Sequence, residues 1–201
     1  MTILKHNDQS GRSMVEMLGV LAIIGVLSVG GISGYSKAMA KFKLIKAQDQ
    51  ITMLLMNIRA AYATSPTYSG LSATAAAEYN LAPSEMVKKT GSGSGASVEL
   101  YGAFGGKVDI GPAETGDAYF HIKMTSLGKE ACRSLATSDW GADGLVMMAV
   151  DGTASGASAE VPCPSGQTAS GKWCASDLPV TLQDASGTCS GELNSIDWMY
   201  Y

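Results

Sequence analysis

The sequence predicts an α+β protein: a long N-terminal α-helix, half of it membrane-embedded, packed on a small antiparallel β-sheet head with a disulfide-stapled C-terminal region. Three observations carry that prediction. Met17–Ser36 is a run of twenty residues without a charge. Several segments after residue 97 alternate apolar and polar side chains in the manner of strands. All four cysteines, Cys132, Cys163, Cys174 and Cys189, lie in the last 70 of 201 residues.

At 1.5 Å per residue, twenty helical residues span about 30 Å, the thickness of a bilayer core. After Ser36 the pattern changes without breaking. Leu44, Ile51, Leu55, Ile58 and Tyr62 recur at helical spacing among Lys37, Lys41, Lys43, Lys46, Asp49 and Arg59. A continuous helix from Ser13 to Ala63 would measure about 75 Å. That exceeds a compact domain, so part of the helix is expected outside the head. Gly25, Gly30 and Gly34 lie within it. Either they form a small-residue face that lets helices approach closely, or they make a soft spot that bends.

The helix is expected to end at Ser65-Pro66, because proline disfavours helical geometry in the residue before it. A Ser/Ala/Thr/Gly-rich connection follows, with a short helix at Ala73–Tyr79 and a turn at Gly91–Gly95. Val98–Phe104, Ala118–Met124 and Leu145–Val150 read as strands, and Leu127–Ala136 as a helix carrying Cys132. Residues 151–201 are rich in Gly, Ser, Pro and Cys, with little periodicity. Such a segment needs covalent staples. Trp198–Tyr201 reads as a terminal strand or a subunit contact, and Trp140 and Trp173 as packing or contact residues.

The charge distribution excludes one class of partner. Residues 1–62 carry seven Lys/Arg and three Asp/Glu, a balance of +4; the rest carry seven and fifteen, a balance of −8. An acidic domain behind a basic, apolar stem is not the profile of a nucleic-acid binder. An even cysteine count in one region suggests two disulfides and an oxidising compartment, with three connectivities open. No Cys-x-x-Cys or Cys-x-x-His pair is present, so no metal site is expected. Asp109, near Gly111, and Asp143 and Asp151, each directly before a glycine, read first as turn residues and second as calcium ligands. His6 and His121 are the only histidines, and His121 reads as a strand residue. No catalytic constellation emerges, so neither an enzyme nor a cofactor is expected.

The most informative residues are Gly11-Arg-Ser-Met-Val-Glu16 with the following LGVLAIIGVL of Leu18–Leu27. This segment resembles the leader-peptidase site of type IV pilins, in which the leader ends in Gly and a Glu stands fifth in the mature chain. Cleavage between Gly11 and Arg12 would place Glu16 there. Arg12 departs from the Phe, Met or Leu usual at the first position. The helix lacks the proline that kinks many pilins, as in type IVb members, and Ala118–Leu135 is similar to the PilS-like group of that class. In that fold a cysteine near this helix bonds to one close to the C-terminus. The resemblance therefore implies Cys132–Cys189, with Cys163–Cys174 as an inner loop.

The expected organisation is a leader (1–11), a transmembrane and assembly helix (12–36), its amphipathic continuation (37–64) and a globular pilin head (65–201). The resemblance implies processing by prepilin peptidase, N-terminal methylation, residence in the inner membrane, and handling by pilus assembly machinery. It ends in a homo-oligomeric extracellular filament serving adhesion, aggregation or related surface functions. The main expectation is a major pilin; the alternatives are a minor pilin, a secretion-system pseudopilin, or a monomeric membrane-anchored binding domain. A lone carboxylate at the edge of an apolar helix is costly unless partnered. Glu16 is therefore expected to pair with the Arg12 amine of a neighbouring subunit and set axial register, rather than only complement its helix dipole. One feature conflicts with this topology. The lysines at 37, 41, 43 and 46 would put the head in the cytoplasm by the positive-inside rule. The cysteines and leader site favour the opposite side, with the lysines facing acidic groups of neighbouring subunits.

Overall fold

The computed structural model describes residues 14–91, 97–113, 117–140, 144–151 and 171–201. Helix α1 covers Met14–Tyr62 without interruption. No proline breaks it, Glu16 lies in its first turn and Arg59 in its last, and each charge complements the helix dipole at its own end. The chain forms two units, residues 1–41 and 42–201. In the first, every described residue is helical and exposed.

The second unit is the head. It contains the end of α1, then α2 (Ala73–Glu78), β1 (Val87–Thr90), β2 (Ser97–Tyr101), β3 (Lys107–Pro112) and β4 (Phe120–Leu127). After these come α3 (Lys129–Ala136), β5 (Leu145–Val150), β6 (Lys172–Cys174), α4 (Leu182–Thr188) and β7 (Asn194–Tyr200). The seven strands make one sheet in the order β1-β2-β3-β4-β7-β5-β6, and every pairing is antiparallel. The last strand of the sequence thus sits between β4 and β5.

Strand alternation decides the faces. Phe120, Ile122 and Met124 of β4 and Ile196, Trp198 and Tyr200 of β7 are fully buried and share one core with Ala47, Ile51, Leu54 and Ile58 of α1. The expected stripe on α1 is therefore rotated slightly: Leu44, Leu55 and Tyr62 flank the buried line. A smaller cluster of Ala113, Met147, Ala149 and Met199 is separate from that core.

The expected strands at 98–104 and 118–124 are present as β2 and β4 with shifted ends, and Leu145–Val150 is a strand throughout. Strands β1, β3 and β6 were not expected. Asp109 lies inside β3 rather than in a turn, because its neighbours Val108 and Ile110 bury on the core face. Gly144, at φ +81°, leaves room for the Arg59 guanidinium where a Cβ would collide with it.

Candidate functional site

The first candidate surface is the described part of the first unit. Val15, Leu21, Ile24, Leu27, Val29 and Ile32 are each more than half exposed. Contiguous apolar surface of this extent is not sustained in water, and α1 is long and apolar enough to cross a membrane. Glycines 25, 30 and 34 have open space where a side chain would stand. Within the chain, then, nothing requires them to be glycine. Glu16 is exposed in the first turn and has no ion pair among the described residues. Gly11 and Arg12 lie outside the described residues.

The second surface is on the head, where α1 meets the chain before β1. Lys46 forms an ion pair with Glu85 at 3.0 Å, so this lysine does not wait for a neighbouring subunit. Gln50 donates to the same carboxylate at 2.7 Å and accepts from the Ala103 N–H at 2.9 Å. The Gln50 bond, and next to it Lys46, hold the Glu85 carboxyl below its ordinary pKa. Asn57 donates to the Leu81 carbonyl at 2.8 Å. Beside these bonds lies a groove of about 690 Å³ lined by Phe42, Ile45, Met53 and Pro83. The sequence reading missed Gln50 and Glu85. No local signal marked them, because the partners of Gln50, Glu85 and Ala103, are remote from it in sequence.

The third region is the C-terminal one. Cys132 in α3 and Cys189 at the end of α4 are bonded, with Cα atoms 5.8 Å apart. Cys174 is also disulfide-bonded; Cys163, its expected partner, lies outside the described residues. Asn194 fixes the entry to β7: its side-chain amide donates to the Leu127 and Gly191 carbonyls, and its oxygen accepts from the Gly191 N–H. Asp151, at φ +51°, accepts from the Ser195 N–H at 2.6 Å. It therefore acts as a turn residue. Asp143 lies outside the described residues, and among those described no three acidic, His or Cys residues gather to hold a metal.

The aromatic residues of the C-terminus pack inward. Trp198 meets Trp140 edge-on at 4.8 Å, and the Trp140 indole donates to the Leu135 carbonyl. Tyr200 stacks on Phe120 at 5.6 Å, and Tyr68 joins Phe120 to Tyr62. Tyr201 is exposed. His121 is a half-buried strand residue with its Nε2 3.7 Å from Asp109.

An apolar helix long enough to cross a membrane and a seven-stranded antiparallel head with a Cys132–Cys189 disulfide make up a pilin fold. The PilS N-terminal family matches residues 43–199, and the chain belongs to that family. Two solved structures share the fold. A type IVb pilin from Salmonella typhi is 18% identical, with a TM-score of 0.53 over 79% of this chain and 97% of its own. TcpA, a type IV pilin from Vibrio cholerae El Tor biotype, is 15% identical, with a TM-score of 0.54 over 79% of this chain and 99% of its own. No curated protein matches.

Proposed function

We propose that the chain is a structural subunit of a type IV pilus, its major pilin, assembled into an extracellular filament for adhesion or aggregation. The observation that carries this reading is the match of residues 43–199 to the PilS family. The exposed apolar helix of the first unit adds to it. Prepilin peptidase removes residues 1–11 after Gly11, and the amine of Arg12 is methylated. Residues 12–36 then hold the subunit in the inner membrane, and 37–64 continue the helix into the head of residues 65–201. The assembly machinery moves the apolar helix from lipid into a bundle of its own copies. Gly25, Gly30 and Gly34 let those helices approach closely. Glu16 pairs with the neighbouring Arg12 amine and fixes register, since a carboxylate left unpaired in such a bundle costs several kcal/mol by roughly the measure of membrane insertion. In the oxidising compartment Cys163–Cys174 closes the inner loop of the C-terminal region.

Replacing Glu16 with Ala tests the reading. The expected outcome is that filaments in the sheared surface fraction fall at least tenfold while membrane-inserted subunit persists. Unchanged filaments would remove the register role and favour a monomeric anchored domain. N-terminal sequencing of the membrane protein is expected to begin at Arg12; an intact Met1 would overturn the leader.

A further inference from the structure

The first two lysines after the apolar run have no ion pair among the described residues, and their place on α1 suggests a role. Lys37 and Lys41 are exposed and have no ion pair among the described residues. They are four apart, so they share one face of the helix. No Asp or Glu occurs between Met17 and Gln48, so no acidic side chain lies within helical reach of either. Lys46, of the same charge, is held by Glu85. The surface in question therefore ends before the head's own ion pair begins.

We propose that Lys37 and Lys41 form a docking surface for the headgroups of anionic phospholipids and set the depth of the subunit in the membrane before assembly. This rests on the membrane reading of residues 12–36 given above. The axial distances fit. Lys37 follows the last uncharged residue by about 1.5 Å and Lys41 by about 7.5 Å, whereas the headgroup layer on each side is about 5–7 Å thick. Their long apolar stems let the ammonium groups adjust to the phosphate plane. Tyr35, 67% exposed just before them, is the kind of side chain that sits at a membrane–water boundary. Acidic groups of a second copy could meet the same lysines only after assembly. A residue one step beyond the apolar run lies among headgroups for as long as the subunit waits in the bilayer. The pairing also gives a use to positive charges that the positive-inside rule disfavours on this side.

The experiment uses the full chain in nanodiscs containing equal phosphatidylglycerol and phosphatidylcholine, with retained lipids counted by native mass spectrometry. Wild type is expected to retain phosphatidylglycerol above the bulk ratio, by up to about fivefold per lysine. Lys37→Gln/Lys41→Gln is expected to fall to the bulk ratio, and Lys46→Gln to keep the wild-type ratio. No enrichment in wild type, or enrichment unchanged in the double variant, overturns the proposal. Unchanged enrichment together with lost filaments would overturn it too, assigning the lysines to a second copy. Failure of the wild type to enter nanodiscs at all would instead remove the membrane reading beneath it, a result distinct from insertion without lipid preference.

Discussion

Tyr200 shows how one residue fixes a property of the head. Its ring is fully buried against Phe120, and the Arg59 guanidinium carbon lies 5.5 Å from the ring centroid. Burial pushes the phenol well above its ordinary value of 10.0, and Arg59 opposes that only in part. A group whose pKa is raised by folding stabilises fully below its unfolded value, and that contribution is lost as the pH rises towards the folded one. The head should therefore lose stability from this residue as the pH rises above about 10, on the order of 1 kcal/mol between pH 10 and 11. Urea unfolding of the full chain in detergent at pH 8, 10 and 11 checks it. Tyr200→Phe is expected to remove that part of the alkaline slope; equal slopes in both proteins would contradict the assignment. Glu85 works in the opposite direction. Gln50 and Lys46 lower its pKa, so its contribution is present above the ordinary 4.5 and fades as the pH falls through the lowered value.

At the scale of elements, the glycines of α1 and the α3–α4 disulfide make separable predictions. A side chain at Gly30 or Gly34 meets nothing within 4 Å in the chain, and each glycine costs an exposed helix about 1 kcal/mol relative to Ala. Gly30→Leu/Gly34→Leu should therefore leave the head's melting temperature unchanged and keep the subunit in the membrane. Filament yield should drop, because the larger side chains hold helices apart. Filaments at wild-type level would show that these positions do not face another copy. Cys132–Cys189 closes a separation of 57 residues, and its loss should cost about 4 kcal/mol in the chain-entropy model. Thermal unfolding of Cys132→Ser/Cys189→Ser, against wild type, measures that cost. The elements legible in the sequence were those with a local period. The apolar run of α1, the alternation of β4 and the block of β5 speak for themselves. β1 has a single apolar residue, Val87, and β6 only three residues, too few to show any period. The terminal strand was one of two readings of Trp198–Tyr201. Its insertion between β4 and β5 follows from burial of Ile196, Trp198 and Tyr200 against distant partners, which no local pattern records. Among the proposed site residues, Glu16 and the glycines stand out because an apolar run makes a charge or a gap conspicuous. Gln50 could not, since its partners Glu85 and Ala103 are remote in sequence.

For the whole molecule, the two units differ in what they need from their surroundings. Every described residue of the first unit is exposed, whereas all members of the main core, from Leu44 and Ala47 to Tyr200, belong to the second. The residues that tie α1 to the sheet, among them Gln50, Asn57 and Arg59, also lie beyond residue 41. Removing residues 1–41 therefore deletes no core side chain and no described hydrogen bond of the head. It does remove the exposed apolar helix residues that are proposed to sit in lipid and then among copies of the chain. Residues 42–201 expressed in an oxidising compartment should fold, with Cys132–Cys189 formed and a melting temperature within about 5 °C of the full chain in detergent, since an exposed segment away from packing contributes little to stability. They should neither fractionate with membranes nor enter filaments. Light scattering, circular dichroism and membrane fractionation on the same sample test this together. A fragment that folds only when residues 14–41 are restored would show that the first unit stabilises the head, and would unseat the division of labour between an assembling helix and a self-sufficient domain.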